Sequence, residues 1–424
     1  MKKVLNYIIL FIILIILFIL LLSISYLLPR NKIHENIKRS VATLKIETQN
    51  YKPFYNNNYF GAYSTLDNFT DSLSLNIALD NNNKEPIIKR VLSNYYYEKD
   101  NNEIKNLSKS LDTNTKTNKE YIRYWFGAES ILKILLIFND LSEIRYINTI
   151  LIISLITLLS YLLTKKTNFL YAISFILSLI FMNIIIVPMS IQYAPVMYIM
   201  LISSILLLIY YDKYEKYIGY YFFIIGMLTA YFDLLTYPMI TLGYPLLIIF
   251  LLRKEKQREL SKELFYYLKL VLLWSIAYSA TYIIKLVISS IVLNKDCFKI
   301  ALDQLAYRMD INSTEKLSRL TVLQENFYAY FNKFTCATIL LIFIVVLISI
   351  KKHGYYKLNN NYIIPMFILI SPYVWYIVLS NHCHIHFWMT YRMQGVSLFA
   401  LLIIIMSLIN INVYKNQGAK KWKK

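Results

Sequence analysis

Glycine, proline, cysteine and charged residues are all scarce in this chain of 424 residues. Its 8 glycines and 9 prolines argue against a channel or transporter built from many broken helices, which uses these residues to unwind the chain. The three cysteines, Cys297, Cys336 and Cys383, are odd in number and widely spaced, which argues against a disulfide framework. Only 17% of the residues are charged, and with 57% hydrophobic residues the chain is far too apolar for a soluble globular protein of this length.

Apolar residues dominate instead. They make up 57% of the chain, the mean hydropathy is +0.44, and they fall in runs long enough to cross a hydrocarbon core of ~30 Å. The net charge of +20 would point to nucleic acid in a soluble protein, but here the lysines lie in short loops beside apolar segments, where they set orientation. We therefore expect a membrane protein that binds no nucleic acid.

Hydropathy divides the chain into five regions. Residues 1–28 form a first span that is too long for a signal peptide and lacks a small-residue cleavage site. A polar loop over 29–144 follows, then spans two to seven over 145–294, a second loop over 295–333, and spans eight to ten with a basic tail over 334–424. The predicted fold class is an all-α polytopic membrane protein of about ten transmembrane helices, whose large first loop contains short surface helices.

The basic residues predict the orientation. They cluster in the connections on one side of the predicted membrane, for example at Lys165, Lys166 and residues 253–262, and in the tail. The short connections on the other side hold only Arg392 among Lys and Arg. Because positive side chains resist translocation, we expect both termini in the cytoplasm and both long loops outside.

Two parts of the first loop have helical patterns. Residues 66–76 show apolar positions at helical spacing behind a polar start, which predicts a short helix capped by Asp67 or Thr70. Residues 121–138 combine aromatic residues with an apolar run too short to span, which predicts an amphipathic helix on the outer surface.

Unusual polar residues fall at the predicted outer boundary. Ionisable groups at membrane depth are costly and therefore mark candidate sites. A carboxylate there can accept a proton from a hydroxyl group or hold a divalent metal, and an arginine can grip a phosphate with its planar fork. The residues concerned are Asp67, Asp71, Asp233, His382, His384, His386, Tyr391 and Arg392.

Each of these residues also has a structural interpretation. Asp67 and Asp71 are typical helix caps, Asp233 near Pro238 is typical of a turn, and Arg392 of an interfacial anchor. The histidines at 382, 384 and 386 alternate as in a strand. Hydrogen bonding to lipid phosphate or to neighbouring helices is favoured for them over a metal site, which needs three or four converging ligands.

An acidic first outer loop, an Arg-Tyr-Trp element at 123–125 and a His/Arg segment at 382–392 resemble the GT-C superfamily of integral membrane glycosyltransferases. The resemblance implies an enzyme of the bacterial cytoplasmic membrane with an outward active face. Its donor would be a polyprenyl-phosphate-linked sugar and its acceptor an envelope glycan, lipid or protein. Asp71 is the first choice for the catalytic base because it lies a turn inside the predicted helix, followed by Asp67, with Asp233 and Glu35 as substitutes.

The resemblance also implies substrate-binding residues in the aromatic element and before the last span. The sequence indicates no cofactor with certainty and leaves open whether a divalent metal ion takes part. The implied substrate-binding residues are Arg123, Tyr124, Trp125, His382, His386, Tyr391 and Arg392.

Three alternatives remain open at this point. A transporter or flippase for a lipid-linked oligosaccharide would place charges near the membrane midplane, where Lys285 is the main candidate. An oligosaccharide polymerase or ligase usually has its principal outer loop late in the chain, and the loop over 295–333 keeps that class open. A scaffold or sensor without a catalytic site would leave the gathering of Asp, His and Arg residues unexplained.

Overall fold

The computed structural model describes residues 2–52, 64–112, 114–254, 258–311 and 317–409. Helices dominate these residues, which confirms the helical class. The first third of the chain contains α1 (Lys2–Ser25), α2 (Arg30–Glu47), α3 (Asn68–Ala78), α4 (Ile87–Ser93), β1 (Tyr95–Tyr96), α5 (Glu103–Ser110), β2 (Lys119–Glu120) and α6 (Glu129–Leu135). The rest contains α7 (Leu141–Lys166), α8 (Phe169–Phe181), α9 (Tyr193–Tyr214), α10 (Ile218–Phe232), α11 (Ile240–Arg253), α12 (Leu260–Leu293), α13 (Cys297–Arg308), α14 (Arg319–Tyr330), α15 (Lys333–His353), α16 (Ile363–Val378), α17 (Ser380–Ile385), α18 (Phe387–Thr390) and α19 (Gly395–Ser407).

Within the described ranges, seven helical segments are long and apolar enough to cross a membrane. Two shorter apolar helices, α8 and α11, accompany them. This number indicates a protein that passes through a membrane several times. The seven segments are Lys2–Ser25, Leu141–Lys166, Tyr193–Phe232, Leu260–Leu293, Lys333–His353, Asn360–Val378 and Phe387–Ser407.

The 40-residue segment Tyr193–Phe232 is folded back on itself. A short 3-10 turn, Glu215–Tyr217, separates α9 from α10. The Tyr221 hydroxyl, near the start of α10, donates to the Ser203 carbonyl at the middle of α9 at 2.7 Å. The two helices therefore lie side by side and antiparallel.

The helical bundle is centred on α19 and its neighbours. The segment Phe387–Ser407 is 83% buried over its most apolar window, whereas Lys2–Ser25 is only 22% buried. Helix α19 contacts both α8 and α16, and the Phe399 ring stacks on Tyr244 of α11 at 5.4 Å between ring centroids. The residues just before α19 are thereby held near the middle of the bundle.

The first loop folds into a separate layer, here called the cap, which comprises α2 to α6 with β1 and β2. Helix α2 is amphipathic, and its inner face places Ile37 and Leu44 against Leu75 of α3 and Leu107 of α5 in a small core. Asp67, one of the two caps that the sequence predicts, caps α3 by accepting a hydrogen bond from the Thr70 backbone N–H at 3.1 Å. Strands β1 and β2 pair antiparallel.

The predicted surface helix over 121–138 is only partly present. Residues 121–128 form an irregular segment in which Tyr124, Trp125 and Phe126 are buried, and α6 covers just seven residues. The aromatic rings bury themselves between the cap and the bundle because this removes their large apolar area from water. Within α6, Ile131 and Ile134 stay exposed and form its outer face.

The cap is joined to the bundle at close contacts. Gly127 donates its N–H to the Tyr231 carbonyl at 2.9 Å, and a Cβ at this glycine would lie 2.6 Å from the same oxygen. The Trp125 indole N–H donates to the Thr281 carbonyl of α12 at 2.8 Å. Only a glycine permits this approach, so the position of the cap depends on it.

Many of the basic residues lie on the bundle face opposite the cap. Helix α7 begins at the cap and ends at Lys165 and Lys166. At the same far face, Arg253 pairs with the Glu263 carboxylate, its Nε lying 3.0 Å from Oε2, and Lys254 donates to the Tyr171 hydroxyl at 2.6 Å. The chain thus has one basic face and one face covered by the cap.

Candidate functional site

The candidate residues come together where the cap meets the bundle. Three stretches of chain converge there: the start of α3, the loop over 233–239 between α10 and α11, and the stretch over 379–394 before α19. The end of α13 joins them, because Arg308 lies 3.3 Å from His382, measured between Nη1 and Nδ1. Residues far apart in sequence thus form one polar layer.

Asp71 is held by a buried ion pair. Its Oδ2 lies 3.0 Å from Nη2 of Arg145, and its Oδ1 accepts the Ile191 N–H at 2.9 Å. Arg145 also pairs with Glu47 at 2.7 Å. Burial raises the pKa of Asp71 to about 6, although Arg145 acts in the opposite direction. Both carboxylate oxygens are engaged, so this side chain ties α3 to α7 and to the start of α9.

Asp67 lies close to Asp71 and accepts fewer hydrogen bonds. It is 2% exposed, and one of its oxygens accepts the Thr70 N–H at the start of α3. Burial and then the negative charge of Asp71 raise the pKa of Asp67 to about 7, while Arg392 acts to lower it. A carboxylate with this pKa can both accept and release a proton near neutral pH.

Arg392 lies buried beside aromatic rings. Its guanidinium carbon is 4.8 Å from the ring centroid of Tyr193 and 5.0 Å from that of Tyr391, and its Nη1 donates to the Trp388 carbonyl at 3.0 Å. The Tyr391 hydroxyl donates to the Met182 carbonyl at 3.1 Å. Tyr391 therefore anchors the segment to the bundle and helps to hold Arg392 in place.

Asp233 shapes the loop between α10 and α11. Its Oδ1 accepts from the Thr236 N–H at 2.8 Å and from the Thr236 hydroxyl at 2.6 Å, which is an Asx-type turn. Burial raises the pKa of Asp233 to about 6, and the hydrogen bonds from Thr236 oppose that shift. Leu235 is held at φ 65°, a conformation that L-residues seldom adopt.

The strained loop presents a carbonyl to a histidine. The Leu235 carbonyl oxygen lies 2.8 Å from Nε2 of His382. Because a carbonyl only accepts, Nε2 carries the proton, and Nδ1 is left to accept the Arg308 N–H. Burial and then the Arg308 charge lower the pKa of His386 to about 4, and the pKa of His382 is lowered well below its usual value by the same two causes. Both imidazoles are therefore neutral at pH 7.

The side chains of His382, His384 and His386 do not meet at one point. His384 pairs with Glu325 at 2.6 Å, away from His382 and His386, whose ring centroids are 4.9 Å apart. Within the described ranges, no group of three or more His, Cys, Asp or Glu side chains is arranged to hold a metal ion.

The aromatic element divides into two parts. Trp125 is fully buried and bonded to the Thr281 carbonyl, so it anchors the cap. Arg123 is half-buried; its Nη1 donates to Oε1 of Gln304 on α13 at 2.5 Å, and its guanidinium carbon lies 4.7 Å from the ring centroid of Tyr121. Arg123 thus joins the cap to the second loop.

A groove of about 610 Å³ opens below Arg123, between α12, α13 and α16, and is here called the membrane groove. Its walls are largely apolar, and its cap end carries Arg123, Tyr124, Gln304 and Arg308. The apolar wall includes Trp274, Ile283, Leu286, Phe298, Leu302 and Trp375. An apolar cleft in a membrane helix bundle with two cations at one end suits an amphiphile that has a long chain and an anionic head.

The two cations at the groove differ from most buried arginines of this chain. Arg90, Arg145 and Arg253 each pair with at least one carboxylate. Among the described residues, neither Arg123 nor Arg308 forms an ion pair with a carboxylate. A partly buried cation without an acidic partner favours binding of an anion from outside the chain.

Arg308 and Gln304 were not among the residues predicted from the sequence. They lie in the second loop, where a basic residue at the end of an amphipathic helix is common and carries no signal of its own. Comparison of the chain with protein-family models, with curated proteins and with solved structures finds no match in any of the three. Any statement of function therefore depends on the geometry of the site.

Proposed function

We propose that the protein is a membrane glycosyltransferase that uses a polyprenyl-phosphate-linked sugar. In this proposal the chain crosses the bacterial cytoplasmic membrane ten times, with α8 and α11 as spans and α9 and α10 as two separate ones, and the cap faces outward. The acceptor is an envelope glycan, lipid or protein. The observation that carries the proposal is the membrane groove, which ends at Arg123 and Arg308 with no carboxylate paired to either among the described residues.

The donor occupies the membrane groove. Its polyprenyl chain lies along the apolar wall and its phosphate meets Arg123 and Arg308, since guanidinium groups bind phosphate oxygens with two parallel hydrogen bonds. His382 supports this arrangement, because its unprotonated Nδ1 accepts from Arg308 and directs that side chain. Arg392 adds positive charge to the same layer.

Asp67 is our preferred base, ahead of Asp71. The Asp71 carboxylate is occupied by Arg145 and by the Ile191 N–H, whereas Asp67 accepts hydrogen bonds from Thr70 at the helix cap and has a pKa of about 7. A base is most effective when its pKa lies near the working pH.

The reaction is a direct displacement. The acceptor hydroxyl oxygen forms a bond to the anomeric carbon of the donor sugar, and the bond from that carbon to the phosphate oxygen breaks. The electron pair leaves with the polyprenyl phosphate, whose growing charge Arg123 and Arg308 stabilise. The hydroxyl proton passes to the Asp67 carboxylate.

The mid-span charge that would favour a transporter has a structural role. The Lys285 ammonium donates to the Leu92 carbonyl of the cap at 2.6 Å and lies 5.7 Å from the ring centroid of Trp125. Lys285 therefore holds α12 to the cap. This accounts for the charge without a translocation pathway, and it favours the transferase.

The test is the envelope glycan of a strain that lacks the protein, complemented with wild type, Arg308→Gln or Lys299→Gln. Lys299 is an exposed cation on the same helix and serves as the matched control. We expect a sugar to be missing in the deletion strain, restored by wild type and by Lys299→Gln, and restored about 100-fold less efficiently by Arg308→Gln present at normal membrane levels. Full restoration by Arg308→Gln would contradict the proposed donor site.

A further inference from the structure

The outer surface of the cap carries a second groove, here called the polar groove. It has a volume of about 620 Å³ and lies between the two-stranded sheet of the cap and α13. In contrast to the membrane groove, it is lined by tyrosines, amides and charged side chains, including Asn82, Tyr95, Tyr96, Lys119, Tyr121 and Lys295. The proposed donor site shares only Arg123 and Gln304 with it.

The two grooves share a wall. Arg123 and Gln304 line both of them, and the hydrogen bond between these two side chains is 2.5 Å long. A molecule in the polar groove would therefore reach the end of the membrane groove at which the donor phosphate is placed. This position is the one an acceptor must occupy.

Two side chains in the polar groove have polar groups that can still form hydrogen bonds. Among the described residues, Tyr95 makes no side-chain hydrogen bond or ring contact and is only half-buried, and the Asn82 side-chain amide makes no hydrogen bond. An exposed tyrosine ring stacks on the C–H face of a sugar and its hydroxyl bonds to sugar hydroxyls, while an amide both donates and accepts.

The groove is also held open by an ion pair. Lys295, just before α13, lies 2.7 Å from Oε2 of Glu120 on β2, and Glu120 is paired in register with Tyr95. This bridge joins the cap to the second loop beside the groove. Lys119 and Arg123 leave the lining with a net positive charge, which suits a neutral or anionic chain of sugars.

We propose that the polar groove binds the acceptor, and that the acceptor is a glycan chain, with a sugar ring on Tyr95 and the chain end directed to Arg123. This inference rests on the proposed glycosyltransferase function and narrows its acceptor to one of three classes. A protein acceptor would be held largely through backbone partners, and the lining of the polar groove offers mainly tyrosine rings, amides and charged side chains.

The test uses the full chain in lipid nanodiscs and two probes. The first is delipidated envelope glycan purified from the deletion strain, with binding measured by calorimetry. The second is a benzophenone-labelled polyprenyl phosphate, with binding measured as photo-crosslinking. The variants are Tyr95→Leu, which removes a stacking ring, and Thr117→Trp, which fills the groove at a half-buried residue of its wall. Tyr328→Leu, at an exposed tyrosine of α14, is the control.

We expect Tyr95→Leu to weaken glycan binding by about tenfold because a stacking ring is lost, and Thr117→Trp to weaken it at least as much because the indole occupies the groove. Crosslinking of the polyprenyl phosphate should be unchanged in both variants. Arg308→Gln should weaken crosslinking of the polyprenyl phosphate and leave glycan binding unchanged. If wild type does not bind the glycan, or if both groove variants bind it as wild type does, the acceptor proposal is wrong. If wild type fails to crosslink the polyprenyl phosphate, the donor proposal fails instead, so the two failures can be told apart.

Discussion

Replacing Asp71 with asparagine tests whether this carboxylate holds the cap on the bundle. The amide keeps the shape of the side chain, and its oxygen can still accept the Ile191 N–H now found at 2.9 Å from Oδ1. What it loses is the charge that faces the buried Arg145 at 3.0 Å.

The size of the effect follows from the ion pairs of Arg145. Removing one partner of a buried pair typically costs about 3 to 5 kcal/mol, because the remaining charge is left uncompensated. Burial of the Asp71 charge, which raises its pKa, offsets part of this cost, and Glu47 stays 2.7 Å from the same guanidinium, so the loss is at most about 3 kcal/mol. At about 2 °C per kcal/mol, the thermal midpoint should fall by up to about 6 °C.

The assay is thermal unfolding in nanodiscs, followed by the fluorescence of the five tryptophans. Asp67→Asn is the matched control, because asparagine caps a helix as well as aspartate and is neutral. Its midpoint at neutral pH should not fall below that of wild type, while glycan transfer is lost. If Asp71→Asn unfolds at the wild-type temperature but abolishes transfer, then Asp71 is the base and our preference for Asp67 is refuted.

The remaining predictions concern the contacts between cap and bundle and the ionisation of Asp67, the proposed base. Gly127→Ala should destabilise the protein by about 1 to 3 kcal/mol, since its Cβ would lie 2.6 Å from the Tyr231 carbonyl; an unchanged unfolding midpoint would contradict the close packing. Trp125→Phe should cost about 2 kcal/mol by losing the indole hydrogen bond and ring volume, yet leave transfer per folded molecule unchanged, as a rate assay on purified protein would show. The transfer rate should rise with pH up to about 7 and then level off, because Asp67 must lose its proton to act as base; a flat profile between pH 5 and 9 would count against it.

The raised pKa of Asp67 also has a consequence for stability. Its pKa is about 7 in the folded protein against an ordinary value of 3.8, so ionisation disfavours the folded state. The stabilising contribution of the neutral form is complete below pH 3.8 and is lost as the pH rises towards about 7. Asp67→Asn lacks this loss, so its unfolding midpoint should exceed that of wild type increasingly over this range.

Much of the architecture could be predicted from local sequence patterns. Apolar runs and the distribution of lysines are local patterns. They predict spans and orientation because placing charges and unpaired backbone groups in hydrocarbon is costly. The α3 helix with its Asp67 cap was predicted for the same reason, since a cap depends on neighbours three residues away.

The chemistry of individual side chains depended on contacts between distant segments. Asp67 and Asp71 have similar local sequence, but only the approach of Arg145, 74 residues away, commits Asp71 to an ion pair and leaves Asp67 less engaged. Trp125 and Arg123 are two residues apart, yet one is buried against α12 and the other bonds to α13. The membrane groove and the position of Arg308 in it depend on the packing of α12, α13 and α16. Burial and ion pairing are properties of the assembled helices, so no single stretch of sequence determines them.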